Sequence, residues 1–92
     1  MILVAEVDCF IYDSHSLKQK RSVIKRIITR LKNDYNIAVS EINHQDLWQR
    51  TQIGLVTISN DKVQAERVIN QALKLIDSFP EIERGTTDLE WL

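Results

Sequence analysis

The sequence predicts an α+β sandwich whose elements follow one another in the order β-α-β-β-α-β. Three observations carry that prediction: apolar residues alternate over the first dozen positions, two long segments repeat them every three and four positions, and β-rich runs lie between and after those segments. At 92 residues and 43% hydrophobic content the chain suits one compact domain, 1–92, with a single modest core. Gly and Pro are few and scattered, and no repeat or low-complexity tract suggests a linker.

In the first element, Leu3, Ala5, Val7, Cys9 and Ile11 point one way, while Ile2, Val4, Glu6, Asp8, Phe10 and Tyr12 point the other. Bulk on both faces fits a central strand with one face in the core. Acids at Glu6 and Asp8, and the lack of a basic lead, make this opening a strand rather than a signal peptide or membrane span. Cys9 is the single cysteine, so no internal disulfide forms and a reducing cytoplasm is the expected compartment. Its parity places the thiol in the core as a small hydrophobe.

Ser14 or Ser16 caps the helix that follows, whose buried stripe is Leu17, Ile24, Ile27, Ile28, Leu31 and Tyr35, and Asn33 or Asn36 can supply a left-handed C-terminal cap. "NIAVSEIN" and "QIGLVTIS" give the second and third strands. Asn60 and Asp61 cap a second helix with Val63, Ala65, Val68, Ile69, Ala72, Leu73, Ile76 and Phe79 inside, ended by Pro80. "TTDLEWL" alternates as a last strand, with Gly85 in the turn before it. Two split βαβ units with right-handed crossovers fold most simply as a ferredoxin-like sandwich: a four-stranded antiparallel sheet, both helices on one face, the first and third strands central. That fold hosts many activities, so function has to come from particular side chains.

A net charge of -1 conceals an asymmetry. Lys18, Lys20, Arg21, Lys25, Arg26, Arg30 and Lys32 follow one another without an intervening acid, whereas Asp77, Glu81, Glu83, Asp88 and Glu90 face only Arg84 at the other end. On a helical wheel Lys18, Arg21, Lys25 and Lys32 share one exposed flank, with Arg26 and Arg30 on the other and no carboxylate to neutralise them within the helix. A like-charged helix forgoes the stabilisation of mixed-sign pairs, which singles this one out as a phosphate-binding surface; the alternative is a solvated face offset by acids elsewhere. Lys20 falls inside the apolar arc, where it must snorkel or pair with a carboxylate at the sheet end.

Stacking of bases on aromatics from both central strands is not expected. Phe10 and Tyr12 serve on the first strand, but "QIGLVTIS" has no aromatic, and Glu6 and Asp8, joined by Glu41, make an acidic face. The connection "HQDLWQR" has little hairpin-turn chemistry. Gln45, Asp46, Trp48 and Gln49 are candidate partner-contact residues, and Arg50 is expected in the loop beside the basic helix. For Trp48 the favoured expectation is packing over the end of the core, its indole N–H bonded to a carbonyl or to Asp46. His44, Asp46 and the nearby carboxylates do not have metal-site spacing, and the 2 Gly form no phosphate loop, so no catalytic residue, metal or cofactor is assigned.

Taken together, "SLKQKR", Asn36, Glu41, "QDLWQR" and "SND" resemble the YlxP-like family, small bacterial proteins of uncharacterised function. The resemblance runs along nearly the whole chain and implies a ferredoxin-like fold. Genes of that family often lie in a translation operon beside an initiation factor and a ribosome-binding factor, which implies ribosomal or structural RNA as partner. The expectation is a cytoplasmic, non-enzymatic accessory of translation or ribosome assembly that docks Lys18, Arg21, Lys25, Arg26, Arg30, Lys32 and Arg50 on RNA. Two alternatives are a homo-oligomer covering an apolar sheet surface of Ile2, Val4, Phe10, Tyr12 and Trp91, and a small-ligand or metal-dependent enzyme.

Overall fold

A computed structural model describes residues 1–92. Six elements follow in the predicted order: β1 (Ile2–Phe10), α1 (Leu17–Asp34), β2 (Ala38–Asn43), β3 (Arg50–Ile58), α2 (Lys62–Asp77) and β4 (Glu83–Trp91). The strands form one antiparallel sheet in the order β2-β3-β1-β4, with the two central strands running antiparallel from Ile2 opposite Ile58 to Phe10 opposite Arg50. This is the ferredoxin-like arrangement. Both helices cover the face that carries Leu3, Ala5, Val7, Cys9 and Ile11 from β1 and its continuation, and Thr51, Ile53, Leu55 and Thr57 from β3, all buried. The other face is open.

Ser16 caps α1 by accepting from the Gln19 amide at 3.1 Å, while Gln19 Oε1 accepts from the His15 amide at 2.6 Å, so both side chains satisfy otherwise free donors. At the other end of α1 the chain leaves through Tyr35 in an extended conformation, whose amide still donates to Leu31. Neither Asn33 nor Asn36 adopts the expected left-handed cap; the one non-glycine residue with positive φ is His44. Asn36 instead offers its carbonyl to Thr57 Oγ1 at 2.7 Å. The α1 stripe also includes Val23 and Lys20, while Leu17, Ile28 and Tyr35 sit at its margin.

Asp61 caps α2 by accepting from the Val63 amide at 3.0 Å. Val63 itself is exposed, the reverse of the sequence expectation, although Ala65 in the same turn is buried, and Leu75 joins the buried stripe. The helix stops at Asp77, three residues before Pro80, since a residue preceding proline disfavours the α conformation and Phe79 turns into the core instead. Gly85 lies within β4, not in a turn before it, next to the register shift between Val7 and Cys9. A Cβ there would come within 3.0 Å of the Phe10 ring and 3.3 Å of the Asp8 carbonyl, so a larger residue would have to push the ring or the strand back by a few tenths of an ångström, and the close approach of the two strands favours glycine.

Cys9 is fully enclosed, and burial, reinforced by the neighbouring charge of Asp8, pushes its thiol up to about 12 from an ordinary 9.0. On unfolding, the thiol ionises at the lower value. Its contribution to stability is therefore complete below pH 9 and is lost as the pH rises towards 12. A disulfide reagent at neutral pH is expected to leave the native thiol unlabelled and to modify it at once in denaturant; rapid labelling of native protein would contradict the enclosure.

Candidate functional site

The cationic helix divides into a paired and an unpaired flank. Arg26 donates to Glu81, which holds that carboxyl below its usual range through the hydrogen bond, and Arg30 lies 3.6 Å from Asp34 one turn on and 5.9 Å from the centre of the Phe79 ring. Asp34 is the last residue of α1, so a carboxylate within the helix does neutralise one of its cations, contrary to the sequence expectation. Lys18, Arg21, Lys25 and Lys32 make no ion pair. All four are exposed, and three of them, Arg21, Lys25 and Lys32, line a shallow groove of about 380 Å³ with Ile24, Ile28, Thr29 and the paired Lys20 and Glu41.

Lys20 stands apart from these four. Only 1% of its side chain is exposed, and its Nζ lies 2.9 Å from Glu41 Oε2, which is 18% exposed, and 2.5 Å from the His44 carbonyl. Glu41 also accepts from Thr51 Oγ1 at 2.5 Å. A buried ammonium with a carboxylate and a carbonyl as partners is satisfied, which is why it survives in the apolar arc. Glu41 therefore points to the helix side and does not join Glu6 and Asp8 on the open face. The same bond fixes the start of the loop, because the carbonyl it holds belongs to the left-handed His44.

The loop differs from expectation in two ways. Trp48 is 53% exposed and its indole makes no hydrogen bond within the chain, so it does not fold over the core. Arg50 belongs to β3 rather than the loop, and its parity sends it to the open face, away from α1. There it forms a 3.0 Å pair with Asp8 and lies 5.7 Å from the centre of the Phe10 ring, with His44 Nε2 3.9 Å from the same carboxylate. Gln49 is a peg for the connection, donating to the Tyr12 and Ser14 carbonyls at 2.9 and 3.0 Å. Gln45 and Asp46 are exposed, and their side chains form no hydrogen bond in the chain.

These positions create a feature that reading segments one at a time misses: a cleft of about 630 Å³ at the loop end of the sheet, lined by Phe10, Tyr12, His15, Asp46, Trp48 and Arg50 among others. The Phe10 and Tyr12 rings are parallel within 1°, with centroids 5.6 Å apart. Strand parity was the available signal for this pair; the arrival of Trp48 and Arg50 beside it depends on how the connection closes. Trp91 is not part of the open face, since opposite Leu3 it faces the helices, with Lys62 Nζ 5.4 Å from its ring centre. No group of three or more His, Cys, Asp or Glu side chains is arranged to hold a metal ion. No helix is long and apolar enough to cross a membrane.

Residues 2–89 match the family described as "Protein of unknown function (DUF503)". The chain belongs to that family. It is 53% identical over 91 residues to the "Uncharacterized protein YlxP" of Bacillus subtilis (strain 168), covering 99% of both chains, so the YlxP-like resemblance holds over the full length. Among solved structures it is similar to "De novo designed protein Foldit4", with a TM-score of 0.59 at 17% identity over 100% of this chain and 99% of that one, a likeness of fold alone. Within this YlxP-like chain, the unpaired α1 flank and the aromatic cleft are two surface features whose chemistry packing does not consume.

Proposed function

We propose that this YlxP-like protein is a cytoplasmic, non-enzymatic accessory of translation or ribosome assembly that binds ribosomal or other structural RNA through α1. The observation that carries this is the row Lys18, Arg21, Lys25 and Lys32, four exposed cations on one flank without a single acidic partner. Such a row neutralises backbone phosphates and releases counterions without reading bases. Arg26 and Arg30 contribute less, because each already has an acid beside it, and Arg50 contributes nothing to this flank from the opposite face of the sheet. The association of the family's genes with a translation operon adds support for RNA over other polyanions. Co-sedimentation of the purified protein with 30S, 50S and 70S particles across a salt series tests it. Retention on one subunit that falls steeply with salt is the expected result, and free protein at every salt concentration would overturn it.

A second reading, self-association, is favoured by one observation. The open face of β1, β2 and β3 presents Val4, Ile42, Val56 and Ile58 beside a shallow groove of about 370 Å³, and Ile42 lies across Gly54, its Cγ2 only 2.9 Å from where a Cβ would be. A second copy covering this patch would give a dimer by light scattering at high concentration, and Val56→Asp would return it to monomer. Monomer mass throughout removes this reading.

A further inference from the structure

The cleft at the loop end of the sheet holds two large aromatic side chains that the fold leaves uncovered, Tyr12 at 58% and Trp48 at 53% exposure. We infer that it takes one unpaired nucleobase of an RNA strand whose phosphates lie along α1, an inference that rests on the RNA-binding reading above. An indole and a phenol beside a guanidinium offer flat faces to a flat heterocycle, and stacking on such faces tolerates any base. Polar atoms for the base edge are present too: Asp46 has no partner in the chain and accepts from exocyclic amines. Arg50, although paired to Asp8 through Nε and Nη2, keeps Nη1 to donate.

Charge decides the direction from which the strand arrives. Glu6, Glu83, Asp88 and Glu90 lie on the open face by register and have no cationic partner, so a phosphate backbone is repelled from the β1–β4 half of the sheet. On the other side His15 lines the cleft, α1 begins at Leu17, and Lys18 and Arg21 lie in its first turns. The Gln49 bond to the Ser14 carbonyl and the Lys20 bond to the His44 carbonyl tie both ends of the loop to this helix start. His15 of the cleft precedes Lys18 by three residues, so the cleft stands at the N-terminal end of the cationic helix. Base stacking in this fold ordinarily uses aromatics from both central strands; β3 has none, and Trp48 from the loop takes that place.

The test uses Trp91→Phe protein, which leaves Trp48 as the only indole. It is titrated with a single-stranded decaribonucleotide, with inorganic polyphosphate and with AMP. The strand is expected to quench Trp48 saturably and polyphosphate to bind without quenching, and Trp48→Ala or Tyr12→Ala is expected to weaken strand binding about tenfold, as removal of one stacked base does. Strand binding that depends on the α1 cations but leaves Trp48 fluorescence and the Trp48→Ala affinity unchanged would overturn the cleft and spare the α1 reading. Quenching that survives Arg21→Glu/Lys25→Glu/Lys32→Glu without salt dependence would keep base stacking in the cleft but overturn the α1 reading and, with it, the path of the strand's phosphates along α1. Absence of strand binding, or AMP binding as tightly as the strand, would also overturn the inference.

Discussion

Replacing Arg21, Lys25 and Lys32 together by Glu is expected to abolish retention on ribosomal particles while leaving the fold intact. All three side chains are exposed, line one groove and have no acidic partner, so replacing them breaks no ion pair of the native structure. Every phosphate left without its cation lowers the slope of log affinity against log salt by nearly one, so the triple change removes roughly 2–3 from it and adds repulsion. A matched pair sharpens the test. Arg26→Ala/Arg30→Ala should weaken binding less than Arg21→Ala/Lys25→Ala, because Glu81 and Asp34 already offset the first two. Equal weakening by both pairs, with unchanged circular dichroism, would mean that net charge and not the unpaired flank governs retention.

The largest effect on stability is expected at the Lys20–Glu41 pair. Glu41→Ala leaves an ammonium that is 1% exposed with only the His44 carbonyl as partner, and breaking such a buried pair costs about 3 kcal/mol. For a domain of this size that lowers Tm by more than about 10 °C. Lys20→Met is expected to be milder, since Glu41 retains its bond from Thr51 and some access to water. The double change Lys20→Met/Glu41→Leu should recover most of the stability, because no unpaired charge then remains inside. Thermal unfolding of the three variants checks this; a double variant as unstable as Glu41→Ala would show that the pair matters for more than its burial. Since Lys20 holds the loop through His44, the Lys20→Met protein should also show altered Trp48 fluorescence.

Much of the fold was legible from spacing alone. Strand parity placed Cys9 and its neighbours inside, helical periodicity found both helices, and the pairs Ser14 or Ser16 and Asn60 with Asp61 marked their starts, where the structure uses Ser16 and Asp61, because these features depend on residues within one or two turns of each other. The errors cluster where a distant partner decides. Val63 has the right period for the α2 stripe and yet is exposed, and Gly85 looks like a turn residue until the register shift between β1 and β4 brings Asp8 and Phe10 against it.

The candidate site follows the same division. By itself the sequence determined the element order, the cationic run and the odd Lys20 inside an apolar arc, since composition and period are properties of the chain. Only the tertiary structure decided which cations are free. Glu81 reaches Arg26 from 55 positions away, Asp8 reaches Arg50 across the central strands, and Glu41 turns from the open face to Lys20. It also brought Trp48 beside Phe10 and Tyr12, making a cleft from residues that no single periodicity connects. The physical reason is that ion pairs and clefts are set by distances of a few ångströms between elements, and those distances exist only once the sheet register and the loop closure are in place.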